Sequence, residues 1–454
     1  MGKKSTFQYM LMAIFGLLLV IGVIVFAKSD PKSKDDDKPM ALSGAQGEVV
    51  IWGTLPDNGY LAGFFAEFNT KYQDSFKVTY RSFDPKTFDR QIIEALASGR
   101  GPDVVLLPHD LIIRYVDKII PIPYTPQFGE REFRNTFVQA ADVYVLDGGM
   151  IAFPFSLDPL VMYWNRDLFA NASLTSPPRF WEELPPMVPK LTKKDKNQNI
   201  VQSAVPFGEY VNVETAKDTI AMFLLQIGNP LVKRSGAMWN MTLMGDGTLP
   251  PNIQGDSVAA MRYFMNFSNP LKDTYTWNRS FESARTEFLN GNLAMYFDVA
   301  STYKILQQSN PHLNFDVAQV PLPCRRDDLQ CSEITMARMH GLSVLKTSRN
   351  INTSFIAIQL LLDQENAKKF ADGFDLPPVR RDLLAIRPPG AADAVFYDSA
   401  IRARTWLDPR TEDSDRIFKD MVDNITSGKN SVDDAMSGAN VLLQAVINGY
   451  FFTN

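Results

Sequence analysis

The stretch from Val49 to Pro108 constrains the fold more than any other part of the chain. "VVIW" (49–52) reads as a strand, and "GYLAGFFAEFNTKY" then puts Leu61, Phe64, Phe65, Phe68 and Tyr72 on one helical stripe. "FKVTYRSF" (76–83) alternates with β-branched and aromatic residues, a second strand. Asp84-Pro85 reads as an N-cap and first helical residue, with Phe88, Ile92 and Leu96 at helical spacing and Gly99 as the stop. "PDVVLLP" (102–108) is a third strand. Strand, helix, strand, helix, strand at this spacing implies parallel pairing with helices packed on both faces. Ligands of such sheets bind at the carboxyl ends of the strands. That points to Trp52, Asp57 and Asn58 after the first strand and to His109 and Asp110 after the third.

"FPFSLDPLVMYWNRDLF" (153–169) is mostly apolar, yet Asp158 sits inside it beside Pro159. "LVMYWN" reads as a strand carrying Tyr163 and Trp164, and "RDLF" opens a helix. Residues 170 to 300 are mainly helical: "TAKDTIAMFLLQIG" ends at Gly228, "DSVAAMRYFMNF" starts from an acid cap, and "ESARTEFLNG" precedes a strand, "LAMYF". "FDVAQVPLP" and "HGLSVL" (340–345) are further strands. "DRIFKDMVDNITSG" and "SVDDAMSGANVLLQAV" are closing helices, the second starting at a capping-box-like Ser431. At 454 residues the chain is too long for one ordinary core, so two large lobes or several domains are expected.

The N-terminus carries a second constraint. Lys3 and Lys4 precede "MLMAIFGLLLVIGVIVFA" (10–27), which has no charge. As a helix this run would span ~27 Å, close to a hydrocarbon core. It reads as a membrane anchor behind a short cytoplasmic tail (1–9); the competing reading is a secretory signal cleaved after Ala27, which the length of the run disfavours. Lysine counts do not fix the orientation, because Lys28, Lys32, Lys34 and Lys38 also follow the run. Residues 28–47 are charged and nearly free of large apolar groups, a flexible tether. In an exported chain, Cys324 and Cys331 within one polar loop are expected to form a disulfide contributing ~2.5 kcal/mol.

The chemistry of many enzyme classes is absent. The chain has no Gly-x-Ser-x-Gly elbow, no phosphate-cradling Gly loop with Lys-Ser/Thr, no Gly-x-Gly-x-x-Gly and no His-Glu-x-x-His. A metal site is not expected, since two cysteines do not fill a zinc shell and His109, His312 and His340 are scattered. A net charge of −5 with no basic stripe excludes a nucleic-acid footprint.

Several stretches in order resemble one family. They are "VVIWGTLPDNGYLAGFFAEFNTKY", "GPDVVLLPHD", "FPFSLDPLVMYWNRDLF" followed by "PPRFWEEL", "FLNGNLAMYF", "VPLP", "LPPVRRDLL" and "IFKDMVDNITSGKNSVDDAM". Jointly they resemble the extracellular solute-binding proteins of ABC importers, family 1, which includes maltose-binding protein. The resemblance covers most of residues 48–448. It implies an α/β fold of two lobes, each a central sheet flanked by helices, preceded here by the transmembrane helix. By analogy one lobe takes 48–155 and 318–346 and the other 160–315 and 350–454, with hinges near 156–159, 316–320 and 346–350.

The resemblance also implies a ligand cleft. Asp110 and Asp158 match acids that accept sugar hydroxyls in similar proteins, and the loop of Trp52, Asp57 and Asn58 lines the cleft there. A carboxylate suits a polyol because it only accepts, through strong charge-assisted bonds. Tyr210, Trp277 and Trp406 are candidates to stack on a pyranose. Two departures stand out: Asp298 with Tyr303 lies where many relatives place a tryptophan, and Arg338 with His340 lies where relatives often have glycines. The expected protein is monomeric and non-catalytic, takes no cofactor, binds a carbohydrate and meets an ABC permease at the outer face of the cell membrane. A sensor or adaptor of the same fold, a non-sugar ligand and an exported carbohydrate-active enzyme are the alternatives.

Overall fold

In a computed structural model the described residues are 45–56, 59–125, 128–245, 256–323 and 332–449. The run 10–27, residues 28–44 of the tether, Asp57, Asn58, Cys324 and Cys331 lie outside them, and the last residue assigned to the tether, Gly47, instead opens the first strand. Among the described residues no helix is long and apolar enough to cross a membrane.

The opening alternation folds as its pattern dictates. Strand β1 (Gly47–Gly53), helix α1 (Tyr60–Tyr72), β2 (Phe76–Ser82), α2 (Pro85–Ala97) and β3 (Val104–Pro108) follow one another. β1 pairs in parallel with both β2 and β3. The stripe Leu61, Phe64, Phe65, Phe68 and Tyr72 is the buried face of α1. Asp84 caps α2 by accepting from the Lys86 N–H. A single turn, α3 (Ile112–Tyr115), follows β3.

The rest of the framework is β4 (Phe153–Asn165), α4 (Arg166–Asn171), α5 (Ala216–Gln226), β5 (Met295–Val299), α6 (Thr302–Ser309), β6 (Phe315–Ala318) and β7 (Thr335–Val344). After these come α7 (Ile351–Leu361), α8 (Gln364–Phe374), β8 (Ala403–Arg404), α9 (Thr411–Thr426) and α10 (Val432–Ile447). One eight-stranded sheet runs β5-β4-β7-β3-β1-β2, with β6 also on β4 and β8 on β7.

β4 is the pivot of this sheet. The sequence reading broke the strand at Asp158-Pro159, but it runs unbroken for 13 residues. Its first half pairs with β7 and its second half with β5 and β6. A proline, which cannot donate to a ladder, is tolerated where the strand changes partners; the Pro159 carbonyl still accepts from the Ala300 N–H at 2.9 Å. β7 is longer than expected, starting at Thr335 rather than His340. Its first half, "TMARM", lacks β-branched alternation and takes its strand form from pairing with β4.

Helices α7 and α8 correct the proposed grouping of 350–454 with 160–315. α7 packs on β1 and β7, and α8 packs on α1. The Phe370 ring of α8 meets Phe64 at 6.0 Å, Phe155 at 4.2 Å and Phe374 at 4.7 Å. The far end of the sheet packs a second apolar cluster around Trp181, Phe207, Phe223 and Phe297. There the Trp181 indole donates to Gln226 Oε1 at 2.7 Å. Phe370 is 2% exposed, so Phe370→Ala should destabilise the protein by about 3–5 kcal/mol in denaturant titration.

Candidate functional site

The site forms where β1 and β3 end and β4 and β7 cross beside them, the end of a parallel sheet at which ligands bind. His109 and Asp110 follow β3, and the His109 N–H donates to the Met339 carbonyl of β7 at 2.9 Å. On β7, His340 sits opposite Ser156 and Arg338 opposite Asp158. The His340 ring links two elements: Nδ1 is 2.9 Å from Ser156 Oγ and Nε2 is 3.3 Å from Thr54 Oγ1, just past β1. Burial pushes the His340 imidazole down to about 3, so it is neutral.

Arg338 donates from Nε and Nη2 to one oxygen, Asp218 Oδ2, at 2.9 and 2.5 Å. Asp218 opens α5, and its neighbour Lys217 reaches the other way. Lys217 Nζ lies 2.7 Å from both Asp408 Oδ2 and Asp415 Oδ1 and 3.0 Å from Ser414 Oγ. Burial alone would lower the lysine; the two carboxylates outweigh it and hold it well above its usual range. The Tyr210 hydroxyl donates to Asp415 at 3.0 Å.

Asp158 is already engaged. Its carboxylate accepts from the Ser301 N–H at 3.0 Å and the Ser301 hydroxyl at 2.6 Å, tying β4 to the start of α6. Asp298 is engaged too, accepting from Arg285 Nη2 at 2.8 Å and from the Tyr296 hydroxyl. Asp110 differs. Its Oδ1 is buried without a hydrogen-bond partner, and burial pushes its carboxyl up. The titratable groups around it are His109, Asp408 and Lys217, and a backbone hydrogen bond at its own residue also favours its charged form.

The structure thus brings His109, Asp110, Asp158, Tyr210, Asp298 and Arg338 into one connected electrostatic network. The tryptophans fall differently. Trp277 has no exposed surface; it stacks on Phe281 at 4.5 Å, donates to Asn212 at 3.1 Å and packs with Tyr163, Phe288 and Tyr296. It is a core ring, because its indole is enclosed by apolar neighbours. Trp406, 1% exposed, packs edge-on to Phe418 in the other cluster, though its indole N–H has no partner. Trp52 packs on Phe83 at 4.6 Å, and its indole N–H is also unpartnered. The sequence reading missed Lys217, Asp218, Asp408 and Asp415. The charged pair opening an otherwise apolar helix, "AKDTIAMFLL", was the available signal.

Residues 52–324 match the bacterial extracellular solute-binding protein family. The chain belongs to that family. A binding protein of Brucella abortus (strain 2308) is 20% identical to this solute-binding protein over 352 residues, 74% of this chain and 79% of that one. Solved structures share the fold. The cyclic alpha-maltosyl-1,6-maltose binding protein of Arthrobacter globiformis superposes with a TM-score of 0.69 at 15% identity, over 89% of this chain and all of that one. The sugar-binding protein MalE of Xanthomonas citri gives 0.68 at 17% identity, over 88% and 98%. A substrate-binding protein of Listeria monocytogenes, in complex with cycloalternan, gives 0.64 at 16% identity, over 89% and 99%. The fold is therefore the α/β fold of periplasmic binding proteins.

Two outcomes follow from the charges of this solute-binding protein. Burial raises the Asp158 carboxyl to about 6, with Ser301 and Arg338 pulling it back. The folded state holds this proton more tightly than the unfolded chain, so the group's contribution is complete below about 4 and is lost as pH rises through about 6, by at most ~3 kcal/mol. Asp158→Asn, whose Oδ1 can still accept from the Ser301 N–H and whose Nδ2 would donate to Ser301 Oγ instead of accepting from it, should gain on the wild type across that window in melting scans. Lys217→Met leaves Asp408, 0% exposed, without its cation; a loss of about 3–5 kcal/mol is expected, with Asp408→Asn in the same chain recovering most of it.

Proposed function

We propose that the protein captures an oligosaccharide in the recess bounded by β1, β3, β4, β7 and α5, and delivers it to the permease of an ABC importer. The observation that carries this reading is the pairing of opposite hydrogen-bonding types in one recess. Asp110 only accepts and its buried Oδ1 lacks a donor, while Arg338 only donates and is 43% exposed despite its grip on Asp218. A sugar hydroxyl both donates and accepts, so a polyol satisfies both groups at once. The names of the three solved relatives, which speak of a cyclic maltosyl-maltose, a sugar and cycloalternan, support the same class.

In this reading β4 and β7 are the straps between two lobes, and ligand binding draws the lobes together by hinge closure. The apolar run 10–27 anchors the chain, the tether lets it move near the membrane, and a Cys324–Cys331 disulfide closes the polar loop.

Melting curves with a panel of linear and cyclic oligosaccharides test the proposal. A true ligand at about 100 times its Kd should add ~2.7 kcal/mol of stability. Asp110→Ala should weaken that ligand at least tenfold, or about 1.4 kcal/mol. Stabilisation by an organic acid or a simple amine, with none by any sugar, would overturn the reading.

A further inference from the structure

The recess has an unbalanced charge inventory. Among the described residues of the network three cations are present, and each already meets a carboxylate. Lys217 meets Asp408 and Asp415, Arg338 meets Asp218, and Arg285 meets Asp298. Asp110 and Asp158 bring the carboxylates to six. Asp158 is answered by the two donors of Ser301. Asp110 is answered only in part: a backbone hydrogen bond and the nearby Lys217 favour its charged form, but its buried Oδ1 has no partner. Neither histidine supplies the missing charge. Both ring nitrogens of His340 face hydroxyls, and burial pushes the His109 imidazole down. Two residues before Thr54, the buried Trp52 indole N–H is unpartnered as well.

A buried carboxylate oxygen with no donor, in a site where acids outnumber bases, favours incoming positive charge. We propose that the recess selects an amine-bearing oligosaccharide over its neutral counterpart, with the ligand's ammonium group facing Asp110, and disfavours acidic sugars. This rests on the oligosaccharide reading above and adds the charge class of the ligand. A hydroxyl can donate to Asp110, but an ammonium donates through a bond with charge on both partners, and it answers the surplus of acids as well. A ligand carboxylate, in contrast, would find no cation whose charge is unanswered and would sit among six acids.

The test uses the full chain and one oligosaccharide in three forms: neutral, with one hydroxyl replaced by an amine, and with one primary alcohol oxidised to a carboxylate. Amino-substituted maltotetraoses, with the substitution at each ring in turn, are suitable probes in isothermal titration calorimetry at pH 7. At least one amino form should bind tenfold or more tightly than the neutral form, and every carboxylate form more weakly than it. In Asp110→Asn, whatever weakening is common to both forms, the ratio of the neutral to the amino Kd should fall to less than threefold. Equal affinity for neutral and amino forms, or an advantage unchanged in Asp110→Asn, overturns the charge selection and leaves the oligosaccharide reading standing. Failure of all three forms, extended to other linkages, overturns both.

Discussion

The antiparallel pairing of β4 with β7 is the constraint on which the rest depends. β7 brings the β3 side of the sheet against β4, and β4 then carries the sheet on to β5 and β6. The pairing shifts register between His340 and Gly341. Gly341 is required there, because a Cβ would lie 2.8 Å from the Tyr144 ring and 2.9 Å from Ala152. The irregularity falls next to His340, whose ring bridges Ser156 and Thr54, and two residues after Arg338, which reaches Asp218. A local packing requirement at one glycine thus sits beside two side chains that tie β7 to β1, β4 and α5.

The charged network holds helices as much as it prepares a site. Lys217 and Asp218 are adjacent on α5 and pull in different directions, one to the segment 408–415 and the other to β7. Buried ion pairs of this sort are weak sources of net stability, since desolvation offsets much of their attraction. Their effect here is positional: α5 is fixed simultaneously against β7 and against the start of α9.

Legibility in the sequence followed the range of the interactions. The β1-to-β3 unit was readable because its apolar periods and caps are local, and the stripe on α1 and the Asp84 cap appear as expected. β7 was half missed because "TMARM" has no strand pattern of its own. The placement of α7 and α8 was missed because an apolar face does not say which surface it will meet; Phe370 finds Phe64 and Phe155, more than two hundred residues away in sequence. Trp277 was offered as a ligand contact on residue type alone, and its enclosure by Phe281, Phe288 and Tyr296 is a tertiary fact. The position of Asp110 past the end of a parallel strand follows from a rule of topology. Lys217 and Asp218 follow no such rule and stayed hidden inside a helix read only for its apolar face.

Asp158 shows how one residue can be placed correctly and given the wrong weight. An acid inside an apolar strand invites a ligand-binding role. Its two carboxylate oxygens are instead taken by the N–H and hydroxyl of Ser301, so it fastens β4 to the start of α6. A ligand hydroxyl would have to compete with two short bonds to gain it. Asp110, just past the end of β3 on the other side of β7, has no partner on Oδ1. Of the two acids that resemble sugar-contacting positions, one therefore has both oxygens engaged and the other keeps a buried oxygen without a partner. On the reading proposed above, recognition falls chiefly on Asp110, while Asp158 fixes β4 against α6.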